Sequence, residues 1–185
     1  MTIAREAHVV ELVDEAGHAI GTSTVDVAHR APGLLHRAFS VVLVDDTGRL
    51  LLQQRAAGKT RFALRWANAC CGHPRPAEPV AVAAERRLSE ELGIPATPLT
   101  EVGVYLYQAA DPATGRIEYE YDHVLFGRLD RSTPVHPDPD EVATVTWVSP
   151  ARLATELSVH GDRFAPWLGG VVDTFSLRVS GLRES

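Results

Sequence analysis

Apolar positions alternate with polar ones at the start of the chain, which predicts a strand over residues 8–13, a turn at Glu15-Ala16-Gly17-His18 and a second strand over 19–28. Ala31-Pro32-Gly33 breaks the pattern. Residues 39–44 and 50–54 read as a hairpin across Asp45-Asp46-Thr47-Gly48, and the polar, mixed segment 55–68 reads as loop. Helical periodicity is clearest over 79–92. Proline sits in the first turn and Gly93 ends it, with an apolar stripe of Ala81, Ala84, Leu88 and Leu92 bordered by Arg87 and Glu91. Strands follow over 102–109, 117–127 and 142–148, then helices over 150–157 and 165–179; the Pro-rich stretch 133–139 is a connecting loop. Strands mixed with a few helices, without regular alternation, predict an α+β fold, and residues 1–185 are expected to form a single domain.

Composition narrows the function. With 45% hydrophobic and 23% charged residues the 185-residue chain is ordinary globular material, and its formal charge of −6 disfavours nucleic acid as a partner. No apolar run is long enough to span a membrane, and the first twenty or so residues carry charges rather than a signal core. Cys70 and Cys71 are adjacent, a poor geometry for a bridge, so free thiols in a reducing, cytoplasmic compartment are expected. Among 18 basic residues Lys59 is the only lysine.

Candidate chemistry lies in two groups. His29, His36, His73, Glu118 and Glu120 are ligand types, and alternation puts the two glutamates on one face of their strand. Like charges there repel unless the face is solvated, as at a wet sheet edge, or a cation lies between them. Three imidazoles with two carboxylates would suit Mn²⁺, Mg²⁺ or Zn²⁺, although spacing alone leaves the choice open. The second group is a pattern. Gly72, Glu78, Arg86, Glu90, Glu91 and Gly93 fit G-x5-E-x7-R-x3-E-E-x-G, followed by Ile94. This resembles the Nudix box, in which carboxylates on a helix hold divalent cations against a diphosphate. The common box has Arg-Glu where this chain has Arg86-Arg87; the lost carboxylate weakens a hydrolytic metal cluster and supplies a phosphate-binding cation instead.

Trp66-Ala67-Asn68-Ala69-Cys70-Cys71-Gly72-His73-Pro74 resembles the W-x-N-x-x-C-G-H-P signature of the type I isopentenyl diphosphate isomerases. The resemblance runs from about His29 to Trp167. It takes in His29-x6-His36, Leu35-His36-Arg37-Ala38-Phe39-Ser40, Arg55-x3-Lys59, Glu118-x-Glu120 and Ala165-Pro166-Trp167. It implies a Nudix-type mixed sheet between helices with an N-terminal strand extension, and a monomer acting on a prenyl diphosphate. It also implies a metal site of His29, His36, His73, Glu118 and Glu120, diphosphate-binding cations Arg55, Lys59 and Arg87, and Glu91 helping to hold a diphosphate-bridging Mg²⁺. Cys71 and Glu120 match the acid–base pair, Tyr107 the tyrosine beside the carboxylate, and Trp167 an aromatic that shields a carbocation. The residues alone do not say which of the pair gives the proton; the resemblance implies Glu120 with Tyr107 as donor and Cys71 as acceptor. Where the family commonly has lysine, four residues before its first metal histidine, this chain has Val25, leaving that contact to be lost or taken by Arg30 or Arg61. Two rivals remain: a Nudix hydrolase using Glu78, Glu90 and Glu91, and a diphosphate-binding module without turnover.

Overall fold

The computed structural model describes residues 5–181; residues 1–4, part of the stretch read above as lacking a signal core, and residues 182–185 lie outside it. In chain order the elements are β1 (Val9–Val13), β2 (Ala19–Thr24), α1 (Val25–Ala28), β3 (His36–Val44), β4 (Leu50–Arg55), β5 (Trp66–Ala67), β6 (Cys70–Gly72) and α2 (Val80–Leu92). Then come β7 (Thr100–Ala110), β8 (Ile117–Arg128), β9 (Val142–Val148), α3 (Pro150–His160), a 3₁₀ turn (Gly161–Arg163) and α4 (Leu168–Gly181). The strands join in one mixed sheet, in which β3 runs parallel to β8 over its whole length and antiparallel to β1, β4 and β6.

Three expectations are corrected. The second strand stops at Thr24, because the Thr24 hydroxyl accepts the Val27 amide and starts a helical turn, α1, in place of further strand. The loop 55–68 ends in strand, since Trp66–Ala67 pairs with β4, and Cys70–Gly72 then pairs with β3. The last helix begins at Leu168, because the backbone at 164–165 is drawn into sheet contact with Trp66.

Alternation divides β3, and with it the core. Phe39, Val41 and Leu43 face α2, joined by Cys70, Leu51, Leu125 and the helix residues Ala84, Leu88 and Leu92. Val42 and Val44 face the other way, with Leu52, Val124, Tyr107, Trp167 and the α3 and α4 residues Leu153, Leu168 and Val171. The adjacent cysteines are thereby separated: Cys70 is a buried core residue on the α2 side, and Cys71 packs on the opposite face. Two glycines fit helix α2 to the sheet, one facing its side and one ending it. A Cβ on Gly72 would meet the Phe39 ring at 3.0 Å and the Arg87 stem at 3.5 Å, so glycine lets helix and strand close together. Gly93 ends the helix at φ 61°, against His136. Pro79 is the residue before the first turn rather than within it.

Leu88 is 1% exposed at the centre of this contact. Leu88→Ala should therefore destabilise the fold by about 2–5 kcal/mol, read as a lower urea midpoint with an unchanged slope.

Candidate active site and metal centre

The parallel register aligns His36 with Glu120 and Ala38 with Asp122, and β6 aligns Cys71 with Ser40 on the other edge of β3. On the far side of β8, Tyr107 pairs with Glu120. Paired residues share a face, so His36, Ser40, Cys71, Tyr107, Glu118, Glu120 and Asp122 all project to the same side of the sheet. The glutamates are thus buried in an interior strand rather than on a wet edge, at 4% and 8% exposure.

Helix α1 brings His29 to this face. His29 Nδ1 donates to the Val25 carbonyl at 2.7 Å, and its Nε2 lies 2.8 Å from Glu118 Oε2. His36 Nδ1 likewise donates to the Leu34 carbonyl at 2.8 Å. Its Nε2 is buried without a hydrogen-bond partner, 3.6 Å from Glu120 Oε1. His73 Nε2 lies 2.9 Å from the same oxygen. One donor atom from each of the five residues falls within 4.8 Å of all the others. With the Nδ1 protons of His29 and His36 given to carbonyls, a neutral imidazole at either position would turn its Nε2 lone pair toward a carboxylate, acceptor against acceptor, unless Nε2 carries a proton or a metal lies between. This donor set fits a divalent cation, which would resolve that conflict and take up the orphaned His36 nitrogen.

Charge at the site follows from burial. Burial and the neighbouring Glu118 push Glu120 up, but the imidazoles of His36 and His73 outweigh them and hold it at about 2. Burial and the charge of Glu120 push Asp122 well above the carboxylate range. Ser40 donates to its Oδ2 at 2.7 Å, while Oδ1 has no partner. Burial, with Asp122, drives the Cys71 thiol up to about 12. Burial and Glu120 likewise raise Tyr107, whose hydroxyl donates to Glu120 Oε2 at 2.6 Å.

A cavity of about 580 Å³ opens above this face, a size usual for small-molecule sites. Cys71, His73, Tyr107, Glu118, Glu120 and Trp167 line it together with Arg55, Lys59, Arg61, Arg86 and Arg87, and the acids Glu6, Glu90, Asp138 and Glu141 lie among these cations. The loop 55–65 folds around Arg55, whose guanidinium donates to the Arg61 and Phe62 carbonyls and lies 5.4 Å from the centre of the Trp167 ring. Lys59 and Arg87 both pair with Glu141, as does Arg5 at 2.6 Å. Glu91 stands apart from the five-residue cluster; it is 2% exposed, beneath Arg87 and bonded to it and to Gln53. Val25 lines the cavity where the family has lysine. Of its two candidate substitutes, Arg61 reaches the cavity but is engaged by Glu118 and Glu6, and Arg30 is exposed and paired with Asp26.

A family model described as NUDIX domain matches residues 34–168. The chain is 61% identical to an isopentenyl-diphosphate Delta-isomerase of Nocardia farcinica, over 89% of this chain and 92% of that one. It is 49% identical to a Streptomyces coelicolor protein of the same name, over 91% and 83%. The chain belongs to the type I isopentenyl-diphosphate isomerases of the Nudix superfamily. Its fold is also similar to that of DR0079 from Deinococcus radiodurans, with TM-score 0.72 at 18% identity over 91% and 99% of the two chains. Within that superfamily the box carboxylates here are turned to arginine. Glu78 takes Arg86, Glu90 takes Arg86 and Arg87, and Glu91 takes Arg87. No helix among the described residues is long and apolar enough to cross a membrane.

Three residues escaped the reading of the sequence as members of this isomerase site. Asp122 was visible as a third acid on the alternation of Glu118 and Glu120. Asn68 stood inside the quoted signature without a role. Glu141 left no local signal, because it meets Lys59 only through the pairing of β4 with β9.

Two outcomes are expected. Wild type is expected to retain a divalent ion through desalting and His36→Ala to lose it, measured as metal per chain. In metal-free protein, burial, opposed by Glu120, lowers His73 from 6.5 to about 4. The unfolded chain therefore binds a proton between those values that the folded chain does not. Stability is full above pH 6.5 and falls as pH drops through about 4, by up to ~3 kcal/mol. Urea titrations across that range should show the loss, and His73→Asn should flatten it.

Proposed function

We infer that this chain is an isomerase that interconverts isopentenyl and dimethylallyl diphosphate for isoprenoid synthesis, with Cys71 and Glu120 as its acid–base pair. The single observation that carries the assignment of roles is the flanking of β3. A thiol and a carboxylate arrive from strands on its two edges, β6 and β8, and both border one cavity that Arg55, Lys59 and Arg87 also line.

Arg55, Lys59 and Arg87 bind the diphosphate, since guanidinium and ammonium groups suit phosphate oxygens, and the Glu141 carboxylate that gathers Lys59 and Arg87 keeps them clustered. His29, His36, His73, Glu118 and Glu120 would hold Mn²⁺, Mg²⁺ or Zn²⁺, and Glu91, which is buried against Arg87 here, would have to give up that pairing to help hold a Mg²⁺ against the diphosphate. When bound, these ions neutralise phosphate charge and alter the proton affinity of the Glu120 carboxylate. The five-carbon end then lies among Cys71, Tyr107, Glu120 and Trp167. Glu120, with the Tyr107 hydroxyl on its second oxygen, delivers a proton to C4 of the alkene. The C3–C4 π electrons form the new C–H bond, leaving a tertiary cation at C3. Cys71 takes the C2 proton, and the C2–H electrons become the C2–C3 double bond. Trp167 excludes water and offers its ring to the cation. It is fixed for this by Phe62, edge-on at 5.4 Å, and by the Ala165 amide bond to the Trp66 carbonyl.

In metal-free protein, burial beside Asp122 favours the protonated Cys71 thiol, so the forward reaction needs that proton removed before Cys71 can take one from C2.

Proton NMR of metal-loaded protein with isopentenyl diphosphate and Mg²⁺ in deuterated water should show dimethylallyl methyl signals, with deuterium in the new methyl. Cys71→Ala should lower kcat by about 10²–10⁴-fold with metal content unchanged. Free phosphate in place of the isomer would establish the hydrolase reading, and binding without conversion the non-catalytic one.

A further inference from the structure

Asn68 is 2% exposed and sits between β5 and β6. Its Nδ2 donates to the Val41 carbonyl at 3.2 Å and to the Cys70 carbonyl at 2.8 Å. Both amide hydrogens are thereby given to carbonyls, which a flipped amide could not do, so the direction of Oδ1 is set by chemistry. That oxygen accepts the Cys71 S–H at 3.1 Å and the Trp167 Nε1–H at 3.1 Å. One rigid carboxamide, bolted to the backbone of β3 and β6, therefore holds the thiol and the indole together.

We propose that Asn68 is a positioning residue of the isomerisation, fixing the Cys71 sulfur and the Trp167 ring relative to one another in the five-carbon end of the cavity. The proposal rests on the reading of Cys71 as the group that exchanges the C2 proton. The sulfur's other contact is longer: Ser40 Oγ lies 3.7 Å away, gives its own proton to Asp122 and keeps a lone pair that can accept the thiol. A cysteine side chain has one torsion with three staggered wells, and in the well it occupies the thiol's shortest hydrogen bond is to Asn68 Oδ1. Without that acceptor the sulfur is free to swing, and a displacement near 1 Å in a reacting group is worth about 10²-fold in rate. Asn68 does not border the cavity, nor does it bond to Arg55, Lys59 or Arg87. Its loss should consequently fall on the proton step and spare diphosphate binding.

Asn68→Ala, compared with metal-loaded wild type, should show kcat lower by about 10–100-fold with KM within about threefold and metal content unchanged. The primary isotope effect with C2-deuterated isopentenyl diphosphate should rise in the variant, because removal of the C2 proton becomes slower relative to the other steps. A kcat within threefold of wild type, a fall in kcat matched by lost metal or folded protein, or an isotope effect that does not rise would overturn the proposal. If the variant does not fold, the wild-type carboxamide answers instead. Its Nδ2 protons should be protected from exchange, and their NMR signals should shift in both Cys71→Ser and Trp167→Phe; signals unmoved in either sink the idea. Wild type that fails to isomerise at all would overturn the functional reading itself, a result separate from any of these.

Discussion

Acidic side chains at 118, 120 and 122 project from one face of an interior strand, each less than a tenth exposed, and the surrounding structure answers their mutual repulsion. Each is answered differently. Glu118 receives Arg61 and His29, Glu120 receives Tyr107 and His73, and Asp122 is left with a serine, its proton affinity raised by burial and by Glu120. Carboxylates this close in a dry setting cannot all ionise without compensating positive charge, so the face that catalysis uses is also the face that most needs a cation. Imidazoles supply nitrogen lone pairs there rather than fixed charge, and this distinguishes a built metal centre from a chance acidic cluster.

The same strand, β3, explains why thiol and metal can be neighbours without sharing ligands. Its parallel edge to β8 carries the carboxylates, and its antiparallel edge to β6 carries Cys71. Strand alternation sends Cys70 into the apolar contact with α2 and Cys71 to the reacting face. Two identical, adjacent residues thus acquire unrelated tasks by the period of a strand alone. On the α2 side the Nudix helix keeps its packing residues while its carboxylates are occupied by Arg86 and Arg87. The helix is thus kept as scaffold, with its box carboxylates neutralised by neighbouring arginines.

Lys59, Arg87 and Arg5 converge on Glu141, so their mutual repulsion is offset and three cations from distant parts of the chain are gathered beside the cavity. Ordering them in advance lowers the conformational cost of meeting an anion there.

Periodicity and turn chemistry by themselves determined the hairpin at Gly48, helix α2 with its Gly93 stop, and the strands that carry Tyr107 and Glu120, because these depend on neighbours in sequence. The spaced box and the Cys-Gly-His-Pro run identified the family for the same reason: their chemistry is local. Where chain segments had to meet, local patterns were silent or misleading. Thr24 capped a turn inside an expected strand, the glutamates proved interior rather than edge, and Glu141 and Asn68 gained partners 82 and 99 residues away. Register between distant strands decides such contacts, and register is set by the packing of whole faces rather than by any residue's neighbours.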